Sequence, residues 1–460
     1  MEFKFSYRVI VFVFFLYCFS QVTAAKKLIV VLVDGVRWDY LNDRSLKGFR
    51  RIMDNGVKAP YVVPIFPSLS YPNWQTLMTG LYPENHGFIG NVIYDNASDS
   101  YFNMIPAPGA DNVRWWNDAE PVWITAEKNN KRSALYWWAG CEVEIMGGHP
   151  TICERQFYDG PPIKEMATDY LERIDDVIQM FKPSKVLGDR LSLVLMYYVS
   201  VDYNGHHFGP QSPELKTALK DIDEILDKMQ QKIKDAHLED EVNLMIISDH
   251  GMTDVRENVV RHLDLRKYAP KIKYHIGSGP VLRIQPQPGM LNKLLQDMTA
   301  DKIEGVRIYK KEDIPEKYHL KGSSKMEPLI LVAKKGYYID SLDDPKTPLA
   351  GHHGYDPEDV EDMRTIFLAT GPDFRKGFKT DILYNTDIYN IICTVLGIPA
   401  LPNNGSWERV QSMLAKTKSP PGTTDKQSAA TFTANGYSFS LVLMITICST
   451  MFSMINSRFL

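Results

Sequence analysis

Leu28-Ile29-Val30-Val31-Leu32-Val33-Asp34-Gly35 is an unbroken apolar, mostly β-branched run that stops at a carboxylate and a glycine. A run without polar alternation suits a strand covered on both faces, the usual state of a parallel sheet. Two more runs have the same form. Leu191 to Val201 ends in Asp202, and Val242 to Ser248 ends in Asp249-His250-Gly251. Between them Pro213 to Lys234 repeats its apolar positions at helical spacing. Strand-like runs alternating with amphipathic helices predict an α/β fold with a largely parallel central sheet flanked by helices.

Ligands of such sheets gather beyond the carboxyl ends of the strands, so Asp34, Asp202 and Asp249 are expected on one rim. Three carboxylates there repel one another unless a cation lies between them. His206, four residues after Asp202, His250, and a histidine of Gly351-His352-His353-Gly354 add imidazoles, which favour a transition metal over magnesium or calcium. Singly these fragments are ordinary, since Asp-Gly is a common turn and an Asp-His pair is commonly a surface hydrogen bond. Their repetition at strand ends is what points to a metal site, although the doubled histidine leaves open which member binds.

Pro67-Ser68-Leu69-Ser70-Tyr71-Pro72-Asn73-Trp74 reads as a loop entering a short helix that stops at Gly80. A serine at a helix start has exposed amides and a favourable dipole for phosphate beside it, while the same serine taken alone reads as a helix cap.

Together with Thr79-Gly80-Leu81-Tyr82-Pro83, His86-Gly87, Asn91, Asp202 to Pro210, Ser248 to Met252 and His353-Gly354-Tyr355-Asp356, these stretches resemble the ecto-nucleotide pyrophosphatase/phosphodiesterase family of the alkaline phosphatase superfamily. The resemblance runs from Lys27 to about Asn404. It implies an alkaline-phosphatase-like sandwich and two zinc ions, one held by Asp202, His206 and His353, the other by Asp34, Ser70, Asp249 and His250. It further implies Ser70 as nucleophile through a covalent phosphoseryl intermediate, and Asn91 as a donor to a phosphoryl oxygen. No arginine lies among these motifs to clamp a further oxygen anion, which suits a diester better than a monoester.

The family generally carries threonine where this chain has Ser70. The serine, with Trp115 to Trp123 and Cys141-Glu142-Val143-Glu144, looks like the family's choline-specific glycerophosphodiesterase branch. Glycerophosphocholine or a lysophosphatidylcholine-like lipid is then the expected substrate, with phosphocholine as product. The alternatives are a nucleotide pyrophosphatase/phosphodiesterase, a sphingomyelinase-type phospholipase C and, last, a non-catalytic anchored binding ectodomain. A quaternary ammonium is recognised by aromatic faces near an anion, which nominates Tyr71, Trp137, Tyr197 and Glu142.

Of 460 residues 44% are hydrophobic and 23% charged, enough apolar material for a large core. The formal charge of -4, with neither sign in long blocks, argues against a nucleic-acid polymer as partner. Residues 1–24 read as a signal peptide, with Lys4 and Arg8 before the apolar Val9 to Phe19. Residues 25–415 are expected to form the catalytic domain and 416–428 a stalk. Residues 429–460 match a signal for a glycosylphosphatidylinositol anchor attached at Ser428, which expects the outer leaflet of the plasma membrane as a partner.

Cys141 and Cys153 are expected to form a disulfide across a segment able to turn back, with Cys393 a buried thiol. Asn96 and Asn404 stand in glycosylation triplets. A small cap or edge subdomain is expected at about 255–350, from strand-like Pro280 to Ile284 and Pro328 to Val332 and the amphipathic Met290 to Met298. A homodimer is compatible with this sequence.

Overall fold

Lys27–Val33 forms a strand with every residue buried, at the centre of an eight-stranded sheet in a computed structural model. The structure describes residues 26–104, 107–155, 165–182, 191–343 and 349–415, so the signal peptide, the stalk and the anchor signal with Ser428 lie outside the described residues. From edge to edge the strands are Phe378–Lys379, Val57–Lys58, Phe367–Thr370, Val242–Ile247, Lys27–Val33, Leu191–Tyr198, Arg132–Tyr136 and Ile152–Glu154. The last five run parallel, and Phe367–Thr370 is antiparallel to both of its neighbours. The expected α/β architecture is therefore present, and the three apolar runs are adjacent strands.

Register explains why their ends meet. Val33 lies opposite Tyr198 and Leu32 opposite Ile247, so Asp34, the segment after Tyr198 and Ser248-Asp249-His250 leave the sheet at one level. The structure corrects one boundary. Leu191 to Val201 was expected as a single strand, but the strand stops at Tyr198 and a helix, Ser200–Phe208, begins at once. Four residues make roughly one helical turn, so Asp202 and His206 share a face of that helix.

Gly35 permits the close approach on which this rim depends. Its φ is +72°, and a Cβ there would lie 2.8 Å from Asp202 Cα. The helix Pro213–Asp235 opens on Ser212, whose hydroxyl accepts from Leu215 N at 3.1 Å, and it buries Leu215, Leu219, Ile222, Leu226 and Met229 against the sheet core.

Between His250 and His353 the chain builds a second, antiparallel sheet, ordered Ile272–Ile276, Val281–Pro286, Leu329–Ala333, Val306–Lys310, with the helix Leu291–Ala300. Leu282, Ile284, Leu294, Leu329, Leu331 and Met363 give it an apolar core of its own. The excursion leaves and returns side by side, because Thr253–Asp254 pairs antiparallel with Gly351–His352.

Cys141 and Cys153 are bonded, with Cα atoms 5.5 Å apart. Cys393 is buried in the helix Asp387–Leu396, and burial pushes its thiol pKa up to about 12, as suits an inert core residue. Asn96 and Asn404 are exposed.

Candidate active site

Ser70 is the first residue of the helix Ser70–Thr79, which closes at Gly80 in a left-handed turn. It does not cap that helix, since Leu69 occupies the cap position. Instead Ser70 Oγ lies 3.2 Å from His250 Nε2. The preceding loop is held by Asn73, whose Nδ2 donates to Pro67 O at 3.2 Å and Leu69 O at 2.9 Å. Asn91 Oδ1 accepts from Tyr71 N at 3.0 Å, which fixes the orientation of the amide and leaves Nδ2 as its donor.

Two clusters of metal-binding character flank Ser70. One is Asp202, His206 and His353; the other is Asp34, Asp202 and His250, so Asp202 stands between them. His206 Nε2 is 3.5 Å from Asp202 Oδ2, and His353 Nε2 is 3.6 Å from Asp202 Oδ1. His250 Nε2 is 3.4 Å from Asp34 Oδ1 and 3.2 Å from Asp249 Oδ2. His353 rather than His352 belongs to the cluster, which resolves the doubled histidine.

Tautomers follow from the other ring nitrogens. Nδ1 of His206, His250 and His353 lies at 2.9, 3.0 and 2.9 Å from the carbonyls of Gly351, Gly251 and Ser68. A carbonyl only accepts, so each Nδ1 carries the proton and each Nε2 turns a lone pair inward. His206 Nε2 and His353 Nε2 stand 3.0 Å apart. Two facing lone pairs at that distance repel unless a cation intervenes.

The carboxylates carry the same sign of incompleteness. Asp34 Oδ1 and Asp202 Oδ1 are buried with no hydrogen-bond partner among the described residues. Burial raises the Asp34 pKa well above the usual carboxylate range, and the charges of Asp249 and Asp202 add to it. Burial also raises Asp249, against the pull of His250. Burial and the neighbouring His250 and His206 push His353 well below the ordinary imidazole value. A divalent ion reverses this balance by making the ionised carboxylates and neutral imidazoles the favoured forms. Imidazole nitrogens, carboxylates and one hydroxyl are the donor set of zinc, and the residues fit such a group.

A family model described as type I phosphodiesterase / nucleotide pyrophosphatase matches residues 28–356. The chain belongs to this family. It is 36% identical over 399 residues to human ectonucleotide pyrophosphatase/phosphodiesterase family member 5, spanning 86% of this chain and 80% of that protein. Mouse family member 7 is 32% identical over 401 residues, spanning 86% and 89%. A bis(5'-adenosyl)-triphosphatase of Xenopus laevis is 30% identical over 396 residues, spanning 85% and 82%. The solved structure of human family member 5 superposes with a TM-score of 0.76 at 34% identity, covering 85% of this chain and 100% of that one. These relatives speak for a phosphodiesterase/pyrophosphatase of this family as a whole and not for its choline-specific branch.

In this family member the nominated aromatic faces lie differently from expectation. Tyr71 is 2% exposed and packed among Trp74, Phe88, Phe102 and Trp116, so its ring is core and presents no open face to a cation. Tyr197 turns its hydroxyl to Asp34 Oδ2 at 2.6 Å, so its polar end is engaged by a carboxylate of the candidate metal-binding cluster. Trp137 is buried against Tyr170. Glu142 is half-buried in the segment closed by the disulfide and makes no ion pair with the described residues.

Several partners of the site were not singled out in the sequence. Trp74 Nε1 donates to Asp249 Oδ2 at 2.7 Å, and its ring meets Tyr197 edge to face, with centroids 5.0 Å apart. Asn385 Nδ2 donates to Asp249 O at 3.1 Å and to Asn73 Oδ1 at 2.8 Å. Trp74 lies four residues after Ser70, one helical turn along the same face, which is the signal that could have found it.

Proposed function

We propose that this chain hydrolyses phosphodiester and pyrophosphate bonds of nucleotides, with Ser70 as nucleophile and two zinc ions. The carrying observation is the pair of buried, partnerless oxygens, Asp34 Oδ1 and Asp202 Oδ1, beside three inward Nε2 atoms and the Ser70 hydroxyl. Asp202, His206 and His353 would hold one ion, and Asp34, Asp249 and His250 with Ser70 the other. Bound there, the ions neutralise phosphoryl oxygens and favour the deprotonated Ser70 hydroxyl.

The chain's own residues supply the rest. The Ser70 oxygen attacks phosphorus, the bond to the leaving oxygen breaks, and a phosphoseryl ester forms that water then hydrolyses. Asn91 Nδ2 donates to a non-bridging oxygen as charge develops, and the amides at the helix start add to it. Arg37, near Asp34 in sequence, is engaged elsewhere, donating to Asp39 and to Met252 O, so its guanidinium is not available to clamp a terminal phosphate.

Names among the relatives support a nucleotide substrate. One is a bis(5'-adenosyl)-triphosphatase, and a murine family member 5, described as inactive with a threonine replaced by alanine, was solved in complex with AMP. The test is mass spectrometry of products from diadenosine triphosphate, ATP and glycerophosphocholine with zinc-loaded protein. AMP is the expected product. Phosphocholine without AMP overturns the proposal in favour of a choline phosphodiesterase.

That second reading rests on serine in place of threonine at position 70 and on Glu142, a half-buried carboxylate without an ion-pair partner among the described residues. It expects Glu142→Gln to raise KM for glycerophosphocholine well above any change for p-nitrophenyl phosphodiesters. We also propose that the protein is secreted and lipid-anchored at the cell surface, supported by the disulfide and the exposed asparagines of both glycosylation triplets.

A further inference from the structure

At the sheet edge formed by Phe378–Lys379, outside the cluster around Ser70, positive charge is concentrated. Val57–Lys58 and the edge strand Phe378–Lys379 run parallel, with Lys58 directly opposite Lys379. Residues in register on neighbouring strands project from the same face, and like charges placed so are destabilising. Arg50, from the helix Lys47–Asn55, and Arg44 join them around a cleft of about 580 Å³ floored in part by the Phe378 ring. Among the described residues Asp54 is the only carboxylate lining it. Among the described residues none of the four cations forms an ion pair, whereas their neighbour Arg51 is matched by Asp227 at 2.9 Å.

Lysine on an edge strand commonly serves to block edge-to-edge pairing, and that accounts for Lys379. It does not account for Lys58, which lies one strand in and is half-buried, or for half-buried Arg50. Burial holds the Lys58 ammonium below its ordinary pKa, and the charges of Lys379 and Arg50 depress it further. In a chain of net charge -4, four cations facing one carboxylate form a local field that an anion would relieve.

We propose that this cleft is a binding site for a compact anion bearing several phosphate or sulfate groups, separate from the metal centre. Arg44 and Arg50 offer planar forks that match such oxygens, and the paired lysines supply point charges. The cleft is within the range of volumes that take a small molecule. A free polyanion and the headgroup of a polyphosphorylated lipid present the same chemistry.

The experiment titrates zinc-loaded protein with inositol hexasulfate by calorimetry, and in parallel measures co-sedimentation with phosphatidylcholine vesicles with and without phosphatidylinositol 4,5-bisphosphate. Hexasulfate is expected to bind, to bind less well as salt rises, and not to compete with a p-nitrophenyl phosphodiester substrate. Arg50→Gln/Lys58→Gln is expected to weaken binding by about tenfold or more with turnover unchanged. Arg50→Lys/Lys58→Arg keeps the charge and is expected to keep binding, which separates charge from folding. Added vesicle binding, lost in the same double Gln variant, assigns a lipid headgroup; its absence assigns a free anion. Equal hexasulfate affinity in the double Gln variant, or competition with the diester, overturns the proposal.

Discussion

The Tyr197 hydroxyl donates to Asp34 Oδ2 across 2.6 Å, while the other oxygen of that carboxylate, Oδ1, is buried with no hydrogen-bond partner among the described residues. One oxygen is thus oriented by the protein, and the other is left for a cation. Partners of this kind set the angle and basicity of a ligand. Tyr197→Phe is expected to weaken metal binding about tenfold, measured by competition with a zinc chelator, with little change in the folded spectrum. Unchanged affinity would leave Tyr197 a packing residue.

Ser70→Ala removes the hydroxyl proposed to attack but none of the imidazoles. Turnover is expected to fall by about a thousandfold or more, with metal still bound by elemental analysis. Ser70→Thr is expected to retain measurable turnover, because it keeps a hydroxyl at the same helix position.

Gly35 has no room for a side chain. Gly35→Ala places a methyl 2.8 Å from Asp202 Cα at a φ of +72°. The expected result is about 1–3 kcal/mol lower stability in urea unfolding, together with weakened metal binding as Asp202 is displaced.

His86 gives a pH signature away from the metals. Its ring is buried, accepts from Phe88 N at 3.2 Å through Nδ1, and meets Thr76 Oγ1 at 3.0 Å through Nε2. Burial lowers its pKa to about 3, against an ordinary 6.5. The fold keeps the imidazole neutral while the unfolded chain takes up a proton. The contribution is therefore complete above pH 6.5 and is lost as pH falls from there toward 3, at about 1.4 kcal/mol per pH unit. Thermal melts of the parent and of His86→Gln are expected to converge over that interval; parallel curves would refute the assignment.

Cys141→Ser/Cys153→Ser opens a loop with a sequence separation of 12. A loss of about 3 kcal/mol is expected in chemical denaturation.

The strands and the ligands on them were legible because each depends on a local pattern: an unbroken apolar run, then a carboxylate or histidine. Side-chain direction was not legible in the same way. Leu191–Tyr198 is buried on both faces, so nothing in its composition distinguishes the side on which Tyr197 reaches Asp34. Tyr71 follows Ser70 directly, yet adjacent helical positions do not share a face. Its ring turns into the core while Trp74, one turn on, faces the site. The helix start at Ser200 was hidden because the lone serine sits between the apolar Val199 and Val201 at the end of the run.

His250 and His353 stack with ring centroids 3.4 Å apart, although an entire sheet separates them along the chain. Cations joining their clusters would close that excursion as a clasp closes a long loop, restricting the open ensemble without adding contacts inside it. Chelation would then cost more than turnover. The neck at Thr253 and His352 would lose its lock, and proteases should cut the 255–350 region faster in stripped protein than in loaded protein.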